Sequence, residues 1–284
     1  MPALDDLVDL LDLEPIERNV FRGRSADDHR QRVFGGQVAG QALVAAGRTV
    51  GPERPVHSLH AYFLLPGDPA VPILYVVDRI RDGRSFTTRR VVAVQHGEAI
   101  FNLAASFHAA EPGFEHQLPA PAAPAPEDLP TFEVRMAPHK ERLGEWYTRP
   151  RPIDMRHVAD PPAASPAGAE RPPRQQVWIR ADGTLPDDPL LHACVVTYAS
   201  DLTLLDSILL AHGTSWLDPR LMGASLDHAM WFHRPFRADD WLLYDQESPS
   251  AHAALGLGQG RIFTTAGVHV VSVVQEGLFR LRPA

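Results

Sequence analysis

The sequence predicts an α+β protein built from two tandem units, each a long helix packed against a curved antiparallel sheet. Three observations carry this. A chain of 284 residues is long for one compact domain and suits two of about 140 each. A hydrophobic content of 44% with 22% charged residues is that of an ordinary globular protein. The same order of elements, a helix and then four strand-like runs, lies on both sides of a proline-rich middle, which makes the chain an internal repeat of a whole domain.

The elements follow in order. Residues 34–50, rich in Ala, Val and Gly, read as the first helix, with Phe34, Val38, Gln41 and Ala45 on one stripe. Alternating runs at 58–65, 73–81, 86–95 and 99–107 read as strands, the last two joined by a turn at His96-Gly97. Sixteen of the 27 prolines fall between Pro112 and Pro189; the densest part, 118–130, reads as extended within a Pro-rich linker of 118–146, and 160–173 reads as a second loose stretch. Three parts result: residues 1–117, the linker 118–146, and residues 147–284. Residues 190–210 read as the second helix, with Asp188 as N-cap, Pro189 at the first helical position and Gly213 past the end. Strands are predicted at 225–234, 241–247, 259–265 and 268–276, with a turn at Ala266-Gly267. The last hairpins of the two halves align at an offset of about 170, pairing Gly97 with Gly267 and Ala105 with Gln275. At the helices the offset is nearer 160, which sets Gln41 opposite Asp201.

Composition and motifs exclude several classes. A net charge of −8 without a basic run gives no nucleic-acid footprint. Cys194, the only cysteine, allows neither an internal disulfide nor a thiolate-rich metal site, and fits a reducing cytoplasm. The first 14 residues are acidic, unlike a secretory leader, and no apolar run has the length of a membrane span. The Gly-x-Ser instances at Gly83, Gly213 and Gly223 lack the second glycine of a nucleophile elbow. Gly256-Leu257-Gly258-Gln259-Gly260 lacks the strand-then-helix context of a dinucleotide site. No cofactor and no metal is expected.

Three polar residues stand where chemistry is possible. Asp201 falls on the apolar stripe Cys194, Tyr198, Asp201, Leu205 and Ile208. A carboxylate there is costly unless it is hydrogen-bonded, so it is either a structural aspartate or a general base. Gln275 shares a strand face with Val271 and Val273, and read alone is a satisfied core amide. Ser225, at a strand edge, is unremarkable by itself. Asp227 and His228 are adjacent on a strand and point to opposite faces, so they cannot form a relay with each other. They read as structural, as do His57 and His60.

Longer stretches carry a resemblance. Phe34-Gly35-Gly36-Gln37-Val38-Ala39-Gly40-Gln41, His57-Ser58-Leu59-His60-Ala61-Tyr62-Phe63, Asp82-Gly83-Arg84-Ser85-Phe86, Tyr198-Ala199-Ser200-Asp201-Leu202, Asp227-His228-Ala229-Met230-Trp231-Phe232-His233-Arg234-Pro235-Phe236 and Val274-Gln275-Glu276-Gly277 resemble the TesB-like acyl-CoA thioesterase II family. That resemblance implies a double hot-dog fold and hydrolysis of fatty acyl-CoA to free acid and CoA. It implies that Asp201, Ser225 and Gln275 together hold the nucleophilic water, Ser225 standing where well-known bacterial members have threonine. It also implies oxyanion donors near Gly35-Gly36 and a homo-oligomer, dimer or higher. Only the second half keeps all three groups, so one site per chain is expected. The rivals are a hot-dog hydratase or dehydratase acting on acyl-CoA, and an acyl-CoA-binding protein without turnover.

Overall fold

The structure, a computed structural model, describes residues 2–26 and 31–282. Helix α1 (Pro2–Leu11) buries Leu4, Leu7 and Leu11, spaced three and four apart on one face. Strands β1 (Glu14–Glu17) and β2 (Val20–Gly23) form a hairpin, and helix α2 (Gly35–Gly47) follows. The meander β3 (Val56–Phe63), β4 (Ile73–Asp82), β5 (Phe86–Gln95) and β6 (Glu98–His108) completes the first half. After it come three short helices, α3 (Phe132–Met136), α4 (Lys140–Leu143) and α5 (Glu145–Thr148). The second half repeats the plan with β7 (Ile153–His157), β8 (Arg174–Ala181), α6 (Pro189–Ser200), α7 (Asp206–Ala211) and β9 (Leu221–Ser225). Strands β10 (Asp227–Phe232), β11 (Leu242–His252), β12 (Leu255–Thr264) and β13 (His269–Leu281) end the chain.

All of these strands join one antiparallel sheet in the order β1-β2-β4-β5-β6-β3-β10-β13-β12-β11-β8-β7, with β9 also on β13. The halves meet at β3 and β10, where Asp227 faces Tyr62 and Trp231 faces Ser58. One continuous core therefore spans both, from Leu43, Leu59 and Phe101 to Val195, Met230 and Val273. This is the double hot-dog arrangement, with a hairpin added before each helix. Among the described residues no helix is long and apolar enough to cross a membrane.

The two long helices lie antiparallel in direct contact. A Cβ on Gly36 would stand 2.5 Å from the Tyr198 carbonyl oxygen, and one on Gly40 3.3 Å from that of Cys194. Gly36 and Gly40 are one turn apart, so a small-residue face lets the backbones close to a distance no branched side chain permits. The starts of the helices differ. Asp188 caps α6 by accepting from the Leu190 N–H at 2.9 Å, whereas Phe34 gives α2 no side-chain cap.

Three expectations are corrected. The second helix does not run through 190–210: α6 stops at Ser200, residues 201–205 form turns, and α7 restarts at Asp206. The cause is local competition for the backbone. Gln175 donates to the Thr203 carbonyl at 2.8 Å and Gln246 to its hydroxyl at 2.7 Å, and the Ser200 hydroxyl lies 2.9 Å from the Thr197 carbonyl. Gly258, in the glycine-rich run, lets Leu204 of this turn lie 3.1 Å from where a Cβ would be. Next, Ser225 ends β9 instead of opening a long strand, because the five residues from Ser225 to Ala229 face only four on β13, from Gly277 to Val274. Finally, the linker is not extended throughout: 109–125 and 129–131 lack regular structure, but α3 to α5 fill most of 132–148. The strap is tied to the second half by Trp178, which donates to the Pro124 carbonyl, and by Gln117, which donates to that of Gly267. Ala120, Ala123 and Leu129 thereby cover the cluster of Trp178, Trp241, Leu243 and Phe263.

The helix contact makes two glycines behave differently. Gly36→Ala should destabilise the protein by about 1–3 kcal/mol, because overpacking against a carbonyl outweighs the gain in helix propensity. Gly40→Ala should be close to neutral, since its looser contact is offset by roughly 1 kcal/mol of propensity. Denaturant unfolding of both variants, read at the midpoint, checks this.

Candidate active site

The break after α6 puts Asp201 at the helix C-cap. There Gln275 Nε2 donates to Asp201 Oδ1 at 2.6 Å and Ser225 Oγ donates to the same oxygen at 3.4 Å. Helix, strand end and last strand thus bring the three expected residues together. Oδ2 points the other way, 2.8 Å from where a Cβ of Gly35 would be. A carboxylate of the second half therefore abuts the N-terminus of the first half's helix, where peptide N–H groups and the helix dipole favour negative charge. Phe34 and Tyr198 clamp this junction edge to face, with centroids 5.0 Å apart.

Beside it opens a cavity of about 650 Å³. Val33, Phe34 and Gly35 line it from the first half, Tyr198, Asp201, Leu205 and Ser225 from the second, and Trp146, Arg149 and Arg151 from the segment between. Gln275 is not on its wall: it is fully buried behind Asp201. Arg151 lies over the Phe132 ring at 3.6 Å and donates to the Trp146 and Tyr147 carbonyls. Burial, with the nearby Arg149 charge opposing Glu133, brings it down to about 10.

The first half holds different groups at the matching places. Tyr75 donates to Gln41 Oε1 at 2.7 Å, and its counterpart Tyr244 donates to the Ser200 carbonyl at 3.2 Å, next to Asp201. Gln41 donates in turn to the Leu10 and Arg24 carbonyls, so its amide is satisfied. Across the ladder, Gln275 faces Gly258, whereas Ala105 faces Arg89, a buried guanidinium bonded to Thr49 and Asp82.

The histidines meet polar or aromatic neighbours. His57 meets Ser106 and His60 meets Trp231, while Asp227 accepts from the Glu276 N–H and His228 turns inward to Ser200. One residue escaped the sequence reading. Asp206, on the cavity wall, accepts from Trp216 Nε1 at 2.7 Å. Burial pushes its carboxyl up to about 7, against the lowering effect of that bond. Its only sequence signal was a second carboxylate five places after Asp201 in an apolar run. Among the described residues no group of three or more His, Cys, Asp or Glu could hold a metal.

Comparison with known proteins supplies the family. A model for the acyl-CoA thioesterase family matches residues 151–278, and one for the acyl-CoA thioesterase N-terminal domain matches 25–108. Mouse acyl-coenzyme A thioesterase 8 is 44% identical over 96% of this chain and 88% of its own. The chain belongs to the acyl-CoA thioesterase family. Acyl-CoA thioesterase 2 of Haemophilus influenzae is 38% identical over 98% of each chain. The crystal structure of an acyl-CoA thioesterase II, TesB2, from Mycobacterium marinum is 49% identical and superposes with a TM-score of 0.80 over 98% of this chain and 99% of that one. A hot-dog protein of Alicyclobacillus acidocaldarius shares the fold at 19% identity, with a TM-score of 0.78 over 98% of this chain and 99% of that one. Thioesterases are hydrolases, so membership of this family makes the chain an enzyme.

The Asp206 carboxyl gives a stability test with a fixed sign. Its folded value of about 7 exceeds the ordinary 3.8, so the folded state holds this proton through that interval and loses stability as pH rises across it. Asn keeps the acceptor for Trp216 and removes the ionisation. The melting temperature of Asp206→Asn should gain on the wild type from about pH 4 to about pH 7 and level off above. A constant difference across that range would remove the buried acid from the account.

Proposed function

We propose that this thioesterase hydrolyses fatty acyl-CoA to free fatty acid and CoA with Asp201 as general base. The observation that carries the reading is the Asp201 carboxylate, held by Gln275 and Ser225 at the cavity wall and set against the N-terminus of α2. A water resting on Asp201 and the Ser225 hydroxyl attacks the thioester carbonyl carbon as Asp201 takes its proton. The oxyanion that forms is met by backbone N–H groups at Gly35 and Gly36, with the positive end of the helix dipole behind them. When the tetrahedral intermediate collapses, the carbon–sulfur bond breaks. The CoA thiolate leaves and takes the proton from Asp201. Gln275, behind the carboxylate, fixes which oxygen faces the water. No step calls on a metal or cofactor, and no covalent acyl-enzyme forms.

The substrate fits the walls in two parts. Phe34, Tyr198, Leu205 and Trp146 offer apolar contact to an acyl chain. Arg149 and Arg151, close enough that Arg149 disfavours the charge on Arg151, match the CoA phosphates. With Gln41, Ala105 and Arg89 at the matching places in the first half, one site per chain is proposed. The same reading takes the chain as a cytoplasmic homo-oligomer, with Tyr62, Ile80 and Phe86 exposed on the first half for a second copy to cover.

Thiol release from acyl-CoA tests the chemistry, since hydration would leave the thioester intact. Asp201→Asn should stay folded and lose about 10²-fold or more in kcat. Near-normal turnover in that variant would end the assignment. Ser225→Thr should be close to neutral and Ser225→Ala clearly slower; equal behaviour would leave the hydroxyl without a role. Arg149→Ala should raise KM for acyl-CoA while kcat changes little, as loss of a uniform binding contact does. The opposite pattern would move that guanidinium from binding to chemistry.

A further inference from the structure

Two buried polar atoms near the site lack partners. His228 Nδ1 and Gln275 Oε1 make no hydrogen bond, although the side chains are only 1% and 0% exposed. They lie on adjacent strands. The β10–β13 ladder ends at Ala229 opposite Val274, and His228 and Gln275 come next, both buried like Met230 and Val273 two places along. The Gln275 amide acts on the His228 ring at hydrogen-bond range, so ring and amide are neighbours. Burial pushes the imidazole down to about 4, partly opposed by the Gln275 amide, and the ring is neutral at neutral pH.

Donor and acceptor roles then select one tautomer. Gln275 Nε2 donates to Asp201 Oδ1, which leaves Oε1 as the end available to His228. That oxygen can only accept, so Nδ1 must carry the ring proton. Nε2 becomes an acceptor, and the one proton of the Ser200 hydroxyl, 2.8 Å away, goes to it and not to the Thr197 carbonyl, which lies at 2.9 Å. Ser200 directly precedes Asp201, so the chain of contacts closes on itself.

We propose that His228 is a positioning residue: in its Nδ1–H form it donates to Gln275 Oε1 and locks the amide with its nitrogen on Asp201. The inference rests on the reading of Asp201 as base. Without that donor the amide is free to turn over and present its oxygen to the carboxylate. Asp201 would then lose its strongest hydrogen bond and its fixed angle to the water. His228 reaches no reacting atom and acts only through Gln275 and Ser200.

The test joins a tautomer measurement to a mutant cycle. Long-range proton–nitrogen correlation of ¹⁵N-histidine-labelled protein at pH 7, with His228 assigned by its loss in His228→Asn, should show the Nδ1–H form. The Nε2–H form or an imidazolium would overturn the proposal. Kinetically, His228→Leu should lower kcat by about 10-fold or more with KM held within about 2-fold. His228→Asn, whose amide nitrogen stands near Nδ1, should restore most of the rate. In a Gln275→Leu background, His228→Leu should cost little more, because the two act as one unit. Equal losses in both backgrounds, or no rescue by Asn, would reduce His228 to packing. Asp201→Asn run alongside separates the failures. An active Asp201→Asn enzyme sinks the base assignment. An inactive one with additive His228 and Gln275 losses sinks this inference alone.

Discussion

Everything at the site depends on how closely α2 and α6 approach. Their antiparallel contact through Gly36 and Gly40 places the C-terminal end of one helix beside the N-terminal end of the other. Asp201 stands at the first and Gly35 at the second. Adjacent ends of antiparallel helices carry opposite partial charge, so the dipoles attract, and the positive end of α2 offsets the cost of a carboxylate at the negative end of α6. A wider spacing would separate the acid from the backbone donors, and neither half could assemble the arrangement alone.

The sheet serves this contact. Joining β3 to β10 makes the halves one surface, and the helices can touch only because that surface curves around both. Strand β13 then delivers Gln275 from below, while the irregularity between Ser225 and Ala229 turns the serine toward the carboxylate. Behind these lie Tyr244, His228 and Ser200, each buried and each bonded toward the end of α6. Such a supporting layer keeps a short side chain such as that of Asp201 in one rotamer.

Much of this was legible in the sequence. The meanders were readable because their core positions alternate, as at Ile73, Tyr75 and Val77 or Val271 and Val273. Hairpin β1–β2 was not, since β1 is exposed along its length and shows no alternation. Strands β7 and β8 were hidden by the prolines around them, which mark the loop between the two strands and not an absence of sheet. The end of α6 was invisible because the groups that stop it, Gln175 and Gln246, are distant in sequence from Thr203. For the site residues, spacing alone left each one ordinary, and a buried aspartate, amide and serine acquire meaning only when they meet. His228 was read as structural because its sequence neighbour Asp227 points the other way, while its working neighbours lie 28 and 47 positions off.

The helix starts hold a last lesson about duplicated domains. A tandem repeat begins with two equivalent helix beginnings, each able to receive an anion. Here α6 closes its own with Asp188, and the side chain at the start of α2 gives no such closure. The duplication has thus divided one inherited property into two careers. One copy spends its helix beginning on rigidity, and in the proposed mechanism the other keeps it for chemistry. Selection on the two copies then differs. A change near residue 188 is judged by whether the protein stays folded, and a change near residue 35 by whether it still turns over.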